Sequence, residues 1–300
     1  MPIKYILREE LEEHKYNECI EKSKQSNLYG YSWYLDIVCE SWDVLVLNNY
    51  EAVMPIPWKK KYVIKYICQP FFCQQLGVFS TVENKQLTEK FIDSIPAKFL
   101  KISLQFNSLN IISEERNISQ RLNYILLLND SYKNIFKSFS KGRKHAVKQA
   151  MRNELISSDF SIDELILIAK QNYDFDDFSS KEFTLLKQLV EALKNRNKLE
   201  LLGIRDANNT LIGGSVFLID SHRIIYLFSA MSKEGKEKQV PSFLLNQIIE
   251  KYSETQRILD FEGSMIPGIA SFFKSFGSIL ENYSFLQVNR LPFLLRLFKS

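Results

Sequence analysis

Apolar residues recur along the chain in two rhythms, and the switches between them mark its elements. Alternating or continuous short runs read as strands: Ile3 to Leu7, Trp42 to Leu47, Tyr50 to Pro57, Val63 to Cys68, Leu76 to Phe79 and Leu100 to Phe106. Asn48-Asn49 between the second and third of these is a hairpin turn signal. Spacings of three and four predict helices instead. Glu9 to Lys24 turns Leu11, Tyr16, Cys19 and Ile20 to one side, Tyr29 to Val38 packs four aromatics into a short helical segment, and Thr88 to Ile95 repeats the helical spacing.

The same order then recurs. Tyr132 to Arg152, Ile162 to Tyr173 and Lys181 to Lys194 read as helices, Leu199 to Arg205 and Leu211 to Ile219 as a hairpin about Asp206-Ala207-Asn208-Asn209, and Arg223 to Ala230 as a third strand. Pro241 to Tyr252 is a helix, and Arg257 to Phe261 and Tyr283 to Asn289 are the closing strands. Helices interleaved with strands in this way predict an α/β (α+β) fold of two similar domains in tandem, each a mixed sheet flanked by helices. No Pro/Gly/Ser-rich linker separates them. The seam is placed at Asn129-Asp130-Ser131, where a strand-like run meets a helix start signal, giving domains 1–128 and 129–300.

Composition narrows the partners. With 45% hydrophobic and 25% charged residues the 300-residue chain is ordinary globular protein, and a net charge of +4 admits a small polyanion but not a duplex-DNA binder. No stretch reaches the roughly 18 apolar residues of a membrane span, no secretory signal opens the chain, and four scattered cysteines fit a reducing cytoplasm. Cys68-x4-Cys73 has no histidine near it in sequence and fits no common zinc spacing, so no metal is expected.

Chemistry concentrates near the C-terminal end. Ile258 to Phe261 is a brief apolar strand stopped by Gly263; Pro267-Gly268 opens a helix carrying Ile269, Phe272, Phe273 and Phe276, and Gly277 is a helix stop. On that strand Asp260 and Glu262, two apart, are expected on one side at its C-terminal end, where open α/β sheets place ligands. This strand, "DFEGS", a Pro/Gly turn and "FFKSFG" together resemble the C-terminal signature of the FemABX-like branch of the GNAT (acyl-CoA N-acyltransferase) superfamily, and the order of elements over most of the chain is similar to a tandem GNAT fold. The resemblance implies transfer of an acyl or aminoacyl group to an amine. Lys274 is then the cation beside the developing negative charge, and Glu262 the base or amine-orienting group; the plain alternative for each is a salt bridge.

Three further sets are singled out. Lys137, Lys141, Lys144, Lys148 and Arg152 fall on one stripe if 132–152 is a single helix. A solvated face is the simple reading; the likeness of "KGRKHAVKQA" to the FemABX basic helix implies that Arg143 and Lys148 contact substrate. The segment after the third strand of the second half, with Ser229, Ala230, Lys236, Lys238 and Ser242, stands where GNAT proteins hold the coenzyme A pyrophosphate. It has one glycine, and Pro241 removes a donor. The donor is therefore acyl-CoA or, in the FemABX manner, aminoacyl-tRNA. Tyr31, Trp33, Gln74 and Gln75 belong to an aromatic and amide-rich set; core is the simple reading of the aromatics, the amides suit a sugar or peptide, and the FemABX resemblance implies an acceptor like a peptidoglycan precursor. The absence of a Gly-x-Ser-x-Gly frame around Ser264 argues against a hydrolase. A non-catalytic binder of a small ligand or polyanion on a degenerate GNAT fold is the alternative. The apolar tail Leu291 to Ser300 is expected to dock on protein or on a membrane surface.

Overall fold

The computed structural model describes residues 2–82, 86–153, 155–173, 180–263 and 265–292. The chain forms two compact units: the first holds 1–121 together with 282–300, the second 122–281. The expected seam at 128/129 thus differs from the observed division. The last strand returns to the first unit, because it pairs antiparallel with the strand over 99–105, Phe285 opposite Gln105 and Asn289 opposite Lys101. Sequence adjacency to the second half concealed this. Most of the apolar tail, 293–300, lies outside the described residues.

In the first unit the elements are β1 (Ile3–Ile6), α1 (Glu13–Lys22), α2 (Ser32–Val38), β2 (Trp42–Leu47), β3 (Ala52–Lys61), β4 (Ile64–Cys68), β5 (Phe79–Ser80), α3 (Leu87–Asp93) and β6 (Phe99–Gln105). β7 (Ile118–Leu127) then leads into the second unit. The sheet runs β1-β2-β3-β4-β6, with β5 on β3. β2 and β3 form the expected hairpin, whose turn puts Asn48 and Tyr50 at φ of 52° and 62°. β4 and β6 are parallel, joined through α3. Every residue of β2 is buried, and Tyr16, Cys19 and Ile20 of α1 are buried as their spacing predicted.

The second unit contains α4 (Tyr132–Ser138), α5 (Lys141–Arg152), β8 (Ile156–Ser158), α6 (Ile162–Asn172), α7 (Ser180–Lys194), β9 (Leu199–Arg205), β10 (Leu211–Ile219) and β11 (Arg223–Met231). It continues with α8 (Lys233–Glu237), α9 (Val240–Tyr252), β12 (Ile258–Asp260) and α10 (Pro267–Lys274). β13 (Ile279–Asn289) is the returning strand. The strand order is β7-β12-β11-β10-β9-β8.

One feature of this sheet positions the site. β12 runs parallel to β11 for three residues only, from Arg223↔Ile258 to Ile225↔Asp260, while β11 continues alone on that side to Met231. The two strands part at Asp260, and a parted parallel pair leaves a notch at the strand ends. Aromatic rings from α10 pack beneath it. Phe273 stacks on Phe261 with centroids 4.9 Å apart, and Phe276, fully buried, meets Phe139 edge-on at 5.1 Å.

The basic stripe is interrupted. Residues 132–152 form two helices rather than one, because Phe139 leaves helical geometry (ψ 143°) and Ser140 caps α5, its hydroxyl accepting from the Arg143 N–H. Lys137 consequently sits on α4, apart from the other four. The Ser140 N–H donates to the Ser275 carbonyl at 2.8 Å, which ties the start of α5 to the end of α10.

Candidate active site

Three elements converge on the guanidinium of Arg143. Capping by Ser140 fixes Arg143 in the first turn of α5; Ser242 lies in the first turn of α9, and Ser275 directly follows α10. Nε donates to Ser275 Oγ at 2.8 Å and Nη1 to Ser242 Oγ. The guanidinium carbon lies 4.1 Å from the Phe272 ring centroid and 4.6 Å from that of Phe276, so one face of the cation rests on aromatic carbon. No described carboxylate pairs with it. Burial pulls its pKa down to about 10, which leaves it charged at neutral pH. A cation half-buried among hydroxyls and phenyl rings, with no described carboxylate against it, is able to pair with an anion.

A second cluster lies where β11 and β12 part. Arg223 Nη1 donates to Asp260 Oδ2 at 2.6 Å, and its two Nη atoms reach the Glu281 oxygens at 3.0 and 2.8 Å. Asn123 Nδ2 adds a bond to Glu281 at 3.3 Å. Burial works against the charge on Arg223, but the Asp260 and Glu281 carboxylates hold its pKa above the usual value; burial pushes the Asp260 carboxyl up, opposed by Arg223. Arg223 thus holds both carboxylates, while Asn123 Oδ1 is buried without a described partner.

Glu262 does not continue the strand. β12 ends at Asp260, and Glu262 and Gly263 both take left-handed conformations, φ 57° and 60°. The expectation that Asp260 and Glu262 share one strand face is corrected accordingly: the Glu262 N–H turns back to Asp260 Oδ1 at 2.9 Å. Gly263 is required at its position, since a Cβ there would lie 2.1 Å from the Leu122 carbonyl oxygen. Lys274 is exposed at the end of α10, with Nζ 5.5 Å from the Tyr124 ring centroid. Tyr124 in turn accepts the Phe261 N–H at 3.0 Å, so Lys274 and the Glu262 turn border the same residue. No ion pair joins Lys274 to a described carboxylate.

The remaining site residues fall as follows. Lys148 is exposed, and Lys144 is spent on the Lys137 carbonyl at 2.7 Å. Ser229 and Ala230 lie in β11 opposite Ser215 and Gly214 of β10. The connection beyond them is not an open phosphate loop: Ser232 caps the short α8, Lys238 is paired with Glu234 at 2.7 Å, and Lys236 lies over the Tyr173 ring at 4.4 Å. Ser242, fully buried, faces Arg143. In the first unit Gln75 donates to Gln74 at 2.8 Å and accepts the Ser108 N–H at 3.1 Å, the second bond tying its loop to the segment after β6. Trp33 meets Tyr34 edge-on at 5.5 Å, the Tyr34 hydroxyl donates to the Phe72 carbonyl, and Tyr31 caps α2. The aromatic set and the amide loop are therefore neighbours within that unit.

Sequence reasoning missed Ser275, Phe272 and Phe276 as partners of Arg143, although all three stand in "FFKSFG". It missed Arg223 altogether; its partners lie 37 and 58 residues away, and nothing local marks it. Among the described residues no group of His, Cys, Asp or Glu is placed to hold a metal ion, and no helix is long and apolar enough to cross a membrane.

Against known proteins, no family model matches the chain, and no curated protein matches it in sequence. Solved structures do match. FemX superposes with a TM-score of 0.68 over 99% of this chain and 100% of its own, at 12% identity. L-PGS from Bacillus licheniformis gives 0.55 over 95% and 94%, at 11% identity. A tandem GNAT protein from the clavulanic acid biosynthesis pathway gives 0.54 over 97% and 99%, at 8% identity. The chain shares the fold of these structures, a mixed α/β fold of two GNAT-like domains in tandem, as its order of elements implied.

Proposed function

We propose that the protein is an N-acyltransferase that moves an acyl or aminoacyl group onto an amine, with the chemistry in the second unit. The observation that carries this reading is Arg143, a half-buried guanidinium with no described carboxylate against it. It would take a phosphate or carboxylate of the bound substrate. The amine nitrogen attacks the donor carbonyl, the bond to the leaving thiolate or ribose oxygen breaks, and the proton leaves the nitrogen toward Glu262. Lys274, exposed and in no ion pair with a described carboxylate, would approach the oxyanion that develops. Lys148 would add a second, solvent-side cation.

Donor choice follows from the connection after β11. With α8 ordered and Lys238 engaged by Glu234, a donor held chiefly by side chains, such as aminoacyl-tRNA, is favoured over the usual backbone cradle for coenzyme A; Ser229, Ala230, Lys236 and Ser242 are the remaining coenzyme contacts if acyl-CoA is the donor. The acceptor is a small amine or a peptidoglycan-precursor-like peptide, and the cytoplasm supplies both donors. The same ordered connection also favours a second reading, a non-catalytic binder of a small anion.

The test is transfer of label from acetyl-CoA and from aminoacyl-tRNA to a panel of amines. Wild-type protein should transfer from at least one donor, and Lys274→Ala should lower turnover about 10²–10³-fold with an unchanged melting temperature. Binding without transfer from either donor supports the second reading. A Lys274→Ala variant that melts lower but keeps its rate removes Lys274 from the chemistry.

A further inference from the structure

The hairpin of β3 and β4 ends in an exposed apolar tip. Its two turn residues, Tyr62 and Val63, are 86% and 89% exposed. A tight turn with positive φ favours glycine or asparagine, yet Tyr62 takes φ 55°. A bulky aromatic in that conformation, with a β-branched residue beside it and both in water, destabilises the turn with little packing to offset it. Departures of this kind from local preference are expected where a surface serves a function outside the fold.

Behind the tip stands a collar of cations. The register sets Lys60 opposite Lys65 and Lys61 opposite Ile64. Successive strand residues point to opposite faces, so Lys60 and Lys65 lie on one face of the hairpin and Lys59 and Lys61 on the other. Like charges directly opposite destabilise paired strands, and neither Lys60 nor Lys61 meets a described carboxylate. Lys59 reaches Glu40 at 3.4 Å, and Lys65 Nζ rests 4.1 Å from the Trp58 ring centroid. From Trp58 to Tyr66 the sequence holds four lysines and no acid, whereas the other 35 basic residues of the chain are matched by 35 acidic ones, so the net charge of +4 is that of the hairpin.

The C-terminal tail departs from the same end of the sheet. β4 and β13 flank β6; Lys65 stands beside Phe99, Asn289 beside Lys101, and the Arg290 N–H donates to the Leu100 carbonyl at 2.7 Å. Two strand spacings, about 10 Å, therefore separate the root of the tip from the end of β13. Past the described residues the sequence reads Phe293-Leu294-Leu295-Arg296-Leu297-Phe298-Lys299-Ser300, five apolar residues and two cations without an acid.

We propose that this end of the first unit docks on an anionic lipid bilayer, with Tyr62 and Val63 entering the headgroup layer and Lys60, Lys61 and Lys65 meeting lipid phosphates. Apolar side chains outermost, a tyrosine hydroxyl at the boundary and cations on both faces just behind follow the order of a bilayer from its acyl boundary outward. A nucleic acid would call for cations at the outermost point and offers Val63 no apolar phase to enter. Each lysine close to an anionic leaflet strengthens partition about fivefold.

Flotation of the whole chain with vesicles tests this. Phosphatidylcholine vesicles with about one third phosphatidylglycerol should carry the protein, and phosphatidylcholine alone should carry it about tenfold less or weaker still. Raising the salt from about 0.1 M to about 1 M, which cuts the screening length from about 10 Å to about 3 Å, should release it. Lys60→Gln with Lys61→Gln should weaken partition about tenfold or more without lowering the melting temperature. Tyr62→Asn with Val63→Ser should also weaken it while holding or raising the melting temperature, because asparagine tolerates positive φ; side chains with only a structural role would lower the melting temperature and leave partition unchanged. The proposal is overturned if anionic vesicles do not carry the protein, if neutral vesicles carry it equally well, or if either double variant floats like wild type.

Discussion

Arg143 and Arg223 belong to the same unit and are both largely withdrawn from water, yet they have been treated oppositely by the chain. Arg223 faces two carboxylates, Asp260 and Glu281, which hold its pKa above the usual value. Arg143 faces two hydroxyls and two phenyl rings, and burial pulls its pKa down. A protein that needs a buried cation for architecture supplies its counter-charge. One that leaves the counter-charge out keeps a place for a ligand's. The difference sets the two arginines apart, and it can be probed at both.

The largest effect belongs to Arg223. Arg223→Met leaves Asp260, 4% exposed at its side chain, and Glu281, 18% exposed, without their cation, and breaking such a buried pair costs about 3–5 kcal/mol. Urea denaturation should show that loss; a change below about 1 kcal/mol would mean that water already shares the pair. Next comes the turn built on Asp260. Gly263→Ala forces a Cβ against the Leu122 carbonyl at positive φ, so about 1–3 kcal/mol should be lost, read from the same denaturation curves. A neutral outcome would show that the turn can relax.

Arg143→Met should change stability far less, under about 1 kcal/mol, because the methionine keeps apolar contact with Phe272 and Phe276 while an uncompensated charge is removed. Were it as damaging as Arg223→Met, the guanidinium would be part of the architecture and the comparison would collapse. Lys148→Ala, exposed on α5, should lie within about 0.5 kcal/mol of wild type. A larger loss in its thermal melt would reveal a structural partner for this lysine.

How much of this was legible in the sequence depended on distance along the chain. The hairpins and α6 were plain from apolar spacing within a few residues; the reciprocal cap of Ser161 and Glu164 that starts α6 is an equally local signal that the reading did not use. The break at Phe139-Ser140 was written locally too, in a serine before a helix, but the continuous run of lysines on either side masked it. The return of β13 to the first unit was invisible, since pairing Phe285 with Gln105 leaves no mark in either segment. Within the site, Arg143 could be found from its basic segment and Lys274 from FFKSFG. Their setting could not: Ser242 stands 99 residues from Arg143 and Ser275 132. The left-handed turn at Glu262 was half legible, with Gly263 announcing the bend but not that the strand stops at Asp260.

On the proposed function, Arg143 is reserved for an anion of the substrate. Titration calorimetry of wild type and Arg143→Met against coenzyme A and against aminoacyl-tRNA, at fixed salt, tests it most directly. Wild type should bind at least one of them, and the variant should bind that ligand about tenfold or more weakly with its fold intact, as removal of a charge-assisted pair requires. Equal affinity in the two proteins, or no binding of either ligand by wild type, would contradict it.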